Sequence, residues 1–115
     1  MGVAVLLATS AYPAEAGDAA RGKQVFNRCK ACHTFDPNGK SRAGPALYGV
    51  VDRKAGALTD FRYSRAMKKA AADGLVWTPA KLDTWLTDPY AMIPGTIMHF
   101  RGMTKARDRA DVIAY

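Results

Sequence analysis

Cys29-Lys30-Ala31-Cys32-His33 is the stretch on which the fold turns. Haem carries two vinyl groups, and each can take a thiol to form a thioether. Two cysteines three positions apart on one helical turn reach both vinyls, and the residue that follows, His33, offers an imidazole nitrogen to the iron. The motif therefore predicts covalent haem c, one per chain, with Cys29 and Cys32 as attachment points and His33 as an axial ligand. Three other readings use the same residues. A thioredoxin-like disulfide needs a preceding strand and a βαβ pattern, neither of which the flanking sequence supplies. Zinc needs four ligands, and Cys29, Cys32, His33 and His99 are the only Cys and His available, with Cys32 and His33 adjacent. A structural disulfide leaves the long loops downstream without a purpose.

Upstream of the motif, Asp18 is placed to cap a helix running to the cysteines, with Val25, Phe26 and Cys29 on one face. Downstream, from Thr34 to Tyr63, the periodicity vanishes. Asp36-Pro37-Asn38-Gly39, Gly44-Pro45, Gly49 and Gly56 mark turns. So long a stretch without helix is unusual in a compact domain unless it wraps something other than polypeptide. Ser64 then caps a second helix that stops at Gly74, and Thr78-Pro79 opens a third carrying Leu82, Trp85 and Leu86 and ending before Pro89. Residues 89–103 read as a loop, and Thr104 as the cap of a last helix to Tyr115 with Val112, Ile113 and Tyr115 as its apolar contacts. The expectation is all-α: about four helices and long loops wrapped around one haem.

The second face of the iron needs a ligand from elsewhere. Pro94-Gly95-Thr96 is a stiff turn that places Met98 on a loop able to fold over a flat ring, and a thioether raises the potential relative to a second histidine. Met98 is favoured on this ground over Met67, Met92 and Met103, for which core packing is the default. Adjacent His99 is the competitor, since a small register shift would exchange the two.

Composition bounds the rest. The 115 residues make one domain, with 49% hydrophobic and 23% charged residues. The net charge is +7, and every Lys and Arg lies at Arg21 or beyond. Such a balance suits an acidic protein face and is compatible with peripheral contact at an anionic membrane. The charges are scattered and no nucleic-acid-binding motif occurs, so nucleic acid is not expected. No apolar run reaches the roughly 20 residues of a membrane span. Residues 1–16 read as a signal-peptide remnant: Val3 to Ala8 is apolar, and Ala14-Glu15-Ala16 is a small-x-small cleavage site before Gly17. No positive segment precedes it, so an earlier start is expected. Removing 1–16 takes away Glu15, the only charge there. The mature domain is then 17–115, exported to a bacterial periplasm.

The motifs in order resemble the class I cytochromes c, the soluble bacterial and mitochondrial monohaem electron carriers. They are Gly22-x-x-x-Phe26, Cys29-x-x-Cys32-His33-Thr34, Gly44-Pro45-x-Leu47-x-Gly49, Tyr63-Ser64, Trp77 to Pro89, Pro94-Gly95-Thr96-Ile97-Met98-x-Phe100, and Arg109 to Tyr115. The resemblance covers nearly all of 22–115. It implies that the Pro45 carbonyl accepts a hydrogen bond from His33, that Arg53, Tyr63 and Trp77 bind the haem propionates, and that Gly22 and Phe26 pack on the last helix near Val112 and Tyr115. It implies a non-enzymatic, monomeric shuttle of single electrons between a donor and an acceptor of an electron-transport chain. A ligand-binding or peroxidatic haem protein with a labile methionine is the alternative. Three departures stand out. Trp85 and Met67 replace a tyrosine and an asparagine common near the methionine, making that side less polar. Tyr90, Ala91 and Ile97 stand where lysines are frequent, leaving Arg28, Lys30, Arg42 and Lys105 to ring the haem edge. The family's last helix usually runs on past its tyrosine, so a longer C-terminus is expected.

Overall fold

A computed structural model describes Gly2 and residues 17–115. The signal-peptide reading of 1–16 therefore lies, Gly2 apart, outside the described residues. Five α-helices form: α1 (Ala19–Val25), α2 (Arg65–Ala72), α3 (Pro79–Thr87), α4 (Pro89–Met92) and α5 (Ala106–Ala114), with a 3₁₀ turn at Phe26–Arg28 joining α1 to the cysteines. The only extended pairing among the described residues is an isolated antiparallel bridge between Lys54 and Val76.

The helix starts follow local chemistry. The Asp18 carboxylate accepts from the Ala20 and Arg21 amides at 2.9 and 3.2 Å, satisfying donors that the first turn leaves open. Ser64 does the same for Met67 at 3.0 Å, and Thr78 for Lys81 at 3.2 Å ahead of Pro79. Beyond α2, Gly74 adopts φ +92°, and the Gly74 and Leu75 amides bond back to the Ala71 and Ala70 carbonyls. Two expectations need correction. Residues 89–103 are not loop throughout, because Asp88 accepts from the Ala91 amide at 3.2 Å and starts α4 over the buried Pro89. Thr104 does not cap the last helix. The chain stays extended through Lys105, which precedes α5 without a side-chain cap. Asp108 in the first turn supplies the negative charge that a helix N-terminus favours.

Helices α1 and α5 cross at Gly22. A Cβ there would lie 1.9 Å from the Asp111 carbonyl oxygen, so only glycine permits this approach. Phe26 reaches Tyr115 with ring centroids 5.7 Å apart, and Phe35 continues the cluster to Tyr115 at 4.7 Å and to Tyr48 at 5.6 Å. The buried face of α5 is not the apolar one expected. Val112 and Ile113 are half-buried, whereas Asp108 and Asp111 are each 3% exposed. Arg21 of α1 offsets that burial, donating to Asp111 at 2.6 Å and to Asp108 at 2.7 Å, while the Asp18 amide donates to Asp111 at 2.8 Å.

A second core lies across the molecule. Ala55, Trp77, Trp85 and Ile93 are buried together, with Met67, Leu82, Leu86 and Met98 packed against them. The long 34–63 segment enters this core by pairing with the strand-like residues before α3. Ala55 donates to Leu75, Trp77 to Arg53 and Asp52 to Trp77, at 2.7–2.9 Å.

Candidate haem-binding site

The cysteine motif forms one turn that follows the 3₁₀ turn after α1. The His33 amide bonds to the Cys29 carbonyl at 2.9 Å, which puts both cysteines and the histidine on adjacent corners of that turn. The two thiols are free, Cys29 half-buried and Cys32 exposed. Burial pushes the Cys29 thiol up from its ordinary value, and neighbouring Arg28 works against that shift. That burial favours the protonated Cys29 thiol, the form able to add to a vinyl group.

His33 is buried, and its Nδ1 lies 2.7 Å from the Pro45 carbonyl oxygen. A carbonyl only accepts, so Nδ1 carries the proton and Nε2 keeps its lone pair. Burial, the larger influence, lowers the His33 pKa below its usual value, and the Pro45 bond opposes it. The ring is therefore a neutral, oriented donor of the kind a metal requires. Gly44 makes the fit. A Cβ at this position would lie 2.3 Å from the imidazole Cε1, and the Gly44 amide is tied to the Cys32 carbonyl at 2.9 Å. The 41–47 turn thus closes directly on the face of the ring. Among the described residues no group of three or more His, Cys, Asp or Glu converges as a metal-binding cluster. The donor set fits haem, with two free thiols and one imidazole on a single turn.

Of the other predicted positions, Arg53 and Trp77 are brought together. Trp77 is buried and stacks at a tilt on Trp85, with centroids 5.4 Å apart, while its amide bonds to the Arg53 carbonyl at 2.8 Å. The Arg53 guanidinium donates to the Ala46 and Tyr48 carbonyls at 2.9 and 3.4 Å, which links it to the turn that holds His33. Tyr63 stands apart from this pair. Its hydroxyl accepts from the Leu58 amide at 3.2 Å, and its ring meets Phe61 edge-on at 5.0 Å. Met98 is half-buried against the Trp77–Trp85–Ile93 core, whereas neighbouring His99 is exposed. The two candidate ligands thus differ in burial. The expected haem-edge cations Arg28, Lys30, Arg42 and Lys105 are all exposed, and Arg28 also lies 3.6 Å from Asp108 of α5.

Comparison with known proteins identifies the family. The family model for cytochrome c matches residues 19–115. The chain is 46% identical over 115 residues to cytochrome c2 of Rhodomicrobium vannielii, covering all of this chain and 88% of that protein. It is 44% identical over 99 residues to cytochrome c2 of Agrobacterium tumefaciens, covering 86% and 89% respectively. Among solved structures, cytochrome c2 from Rhodospirillum centenum superposes with a TM-score of 0.82 at 38% identity, covering 86% of this chain and 95% of that one. Cytochrome cH from Methylobacterium extorquens gives a TM-score of 0.76 at 46% identity, covering 86% and 96%. The chain belongs to the cytochrome c family, whose prosthetic group is covalently bound haem c.

Proposed function

We propose that Cys29 and Cys32 hold the haem through thioethers, that His33 and Met98 are its axial ligands, and that Pro45, Arg53, Tyr63 and Trp77 support it. The observation that carries this reading is His33: buried, its tautomer fixed by Pro45, beside two free thiols on the same turn. The protein is a monohaem electron carrier that interacts with redox partners. When bound, haem supplies an iron centre that accepts and releases one electron. The chain's own residues do the rest. The Pro45 carbonyl accepts the Nδ1 hydrogen bond so that His33 presents one fixed atom, and the Trp77–Trp85–Ile93 core packs against Met98. With protein ligands on both sides, no position is left for a substrate, which favours a carrier over an enzyme.

Exposed Lys30, Arg42 and Lys105 and the net charge of +7 suit weak, fast, salt-sensitive docking of a monomer onto acidic faces of a donor and an acceptor. No helix of the described residues is long and apolar enough to cross a membrane. Export to the periplasm, with residues 1–16 removed and 17–115 as the mature domain, completes the reading. N-terminal sequencing of the holoprotein should begin at Gly17.

The ferric near-infrared spectrum tests the ligand assignment. A methionine-to-iron charge-transfer band in wild type that vanishes in Met98→Ala supports it. A spectrum without that band, together with ready carbon monoxide binding by the ferrous protein, would overturn the carrier reading in favour of a ligand-binding haem protein. Haem that fails to stay with the polypeptide on a denaturing gel would remove the thioethers.

A further inference from the structure

The segment carrying Met98 runs from the end of α4 to the start of α5 and is held at both ends by different means. At its front, Ile93 is buried, the Thr96 amide bonds to the Ile93 carbonyl at 3.1 Å, and the Met98 amide bonds to the Thr96 hydroxyl at 3.2 Å. These bonds are local and shape the turn; what ties the front to the rest of the protein is apolar packing of Ile93 with Trp77 and Trp85. The rear is different. Met103 is 2% exposed, and its amide donates at 2.7 Å to the Leu86 carbonyl, one of those that the end of α3 leaves without a helical partner. Gly102, at φ +103°, lies so close to α3 that a Cβ would be 2.1 Å from the Thr87 carbonyl oxygen. Onto this seam α5 delivers Arg109, only 13% exposed. Its Nη1 donates to the Met103 carbonyl at 2.8 Å and its Nε to Asp83 of α3 at 2.7 Å. One guanidinium thus joins α3, α5 and the rear of the methionine loop. A lysine could not, because one ammonium lacks the rigid fork that serves two acceptors in fixed directions.

We propose that Arg109 and Asp83 are positioning residues for the axial methionine: their clamp sets how often the Met98 loop leaves the iron. This rests on Met98 as the ligand. The loop opens as a local unit, and what it exposes on opening depends on the strength of its rear attachment. An external ligand that binds only the open form has an apparent affinity reduced by the fraction open, so weakening the clamp tightens its binding.

Imidazole added to the ferric holoprotein is the probe, read from the shift of the haem absorption. Asp83→Asn keeps the fold, since Asp83 is about half exposed, and should tighten imidazole binding about tenfold, the loss expected for a hydrogen bond between charged groups. Arg109→Lys should tighten it at least as much. Asp60→Ala, which removes the bonds from the Ser41 amide and hydroxyl on the long 34–63 segment and not on α3 or α5, serves as the control: it should lower the unfolding temperature yet leave the imidazole affinity within about twofold. Imidazole affinities unchanged in both clamp variants, with the methionine band present in wild type, would overturn the clamp alone. A wild-type protein lacking that band overturns the Met98 assignment and takes the clamp with it. Tightening in Asp60→Ala equal to that in Asp83→Asn would show general destabilisation and would also overturn it.

Discussion

The two sides of the proposed haem site are built on opposite plans. The histidine side is compact in sequence. The bonds nearest His33 lie between Cys29 and Leu47 and are short: Gly44 to Cys32, Leu47 to Thr34, and the ring itself to Pro45, with Arg53 bracing the turn from just beyond at Ala46. The methionine side is assembled from afar. Met98 rests on residues from α2, α3 and α4, and the rear of its loop depends on Arg109 reaching back 26 positions to Asp83. A site closed by local backbone bonds opens only when the backbone moves. One closed by side chains from three helices can open while the fold stands. The proposed histidine and methionine ligands therefore differ in their supports as well as their chemistry.

The sharpest way to break this comparison is at His33. His33→Ala removes the one donor that the local turn presents, and holoprotein recovered with covalent haem should fall to near background on a haem-stained gel. Next comes Gly44→Ala, which leaves every donor in place but puts a methyl group into the ring. With a Cβ 2.3 Å from the imidazole, a shift is forced, and overpacking of this kind costs about 1–3 kcal/mol. In a domain of this size each kcal/mol lowers the unfolding midpoint by about 4–8 °C, readable by thermal circular dichroism. A Gly44→Ala protein with unchanged midpoint and spectrum would mean that the histidine turn is looser than its contacts indicate. On the other side, Met98→His should behave differently. The charge-transfer band should disappear and the reduction potential fall, because imidazole favours ferrous iron less than a thioether does. The unfolding midpoint should move much less than in Gly44→Ala.

The same contrast governs what could be read from the sequence. The histidine side was legible because its determinants are contiguous. A Cys-x-x-Cys-His turn, a Gly-Pro turn and a helix cap each act within a few residues, and the caps at Asp18, Ser64 and Thr78 lie where their side-chain chemistry puts them. The supports of the methionine side were not legible. Nothing in Asp83 or Arg109 distinguishes them from solvated helix charges until α3 and α5 are side by side. Asp108 and Asp111 are the same lesson in stronger form. Periodicity assigns carboxylates to water, and only the docking of α1, which brings Arg21, reverses that assignment. The resemblance to class I cytochromes c supplied Gly22 and Phe26 as contacts of the last helix. The closest approach proved to be the Asp111 backbone and Tyr115 rather than Val112.

The smallest effect expected concerns that α1–α5 seam, which carries the histidine side because α1 leads straight into Cys29. Both acids of α5 sit below the usual carboxylate range, Asp108 chiefly through donation from Arg21, Asp111 chiefly through the Asp18 amide and then Arg21. The sign follows from linkage. A carboxylate whose folded pKa is depressed contributes stability that is complete above its unfolded value, near 3.9, and is lost as pH falls through the folded value. Wild type should therefore lose stability steadily on acidification below about pH 4. Asp108→Asn cannot titrate. It should start from a lower denaturation midpoint near neutrality and lose less of it between about pH 5 and pH 3. Urea midpoints of the two holoproteins at each pH give the comparison. Parallel curves would place the acid sensitivity elsewhere. Converging curves would show that the rigid side of the site has an acid-sensitive support, and that its local backbone bonds account for only part of its hold.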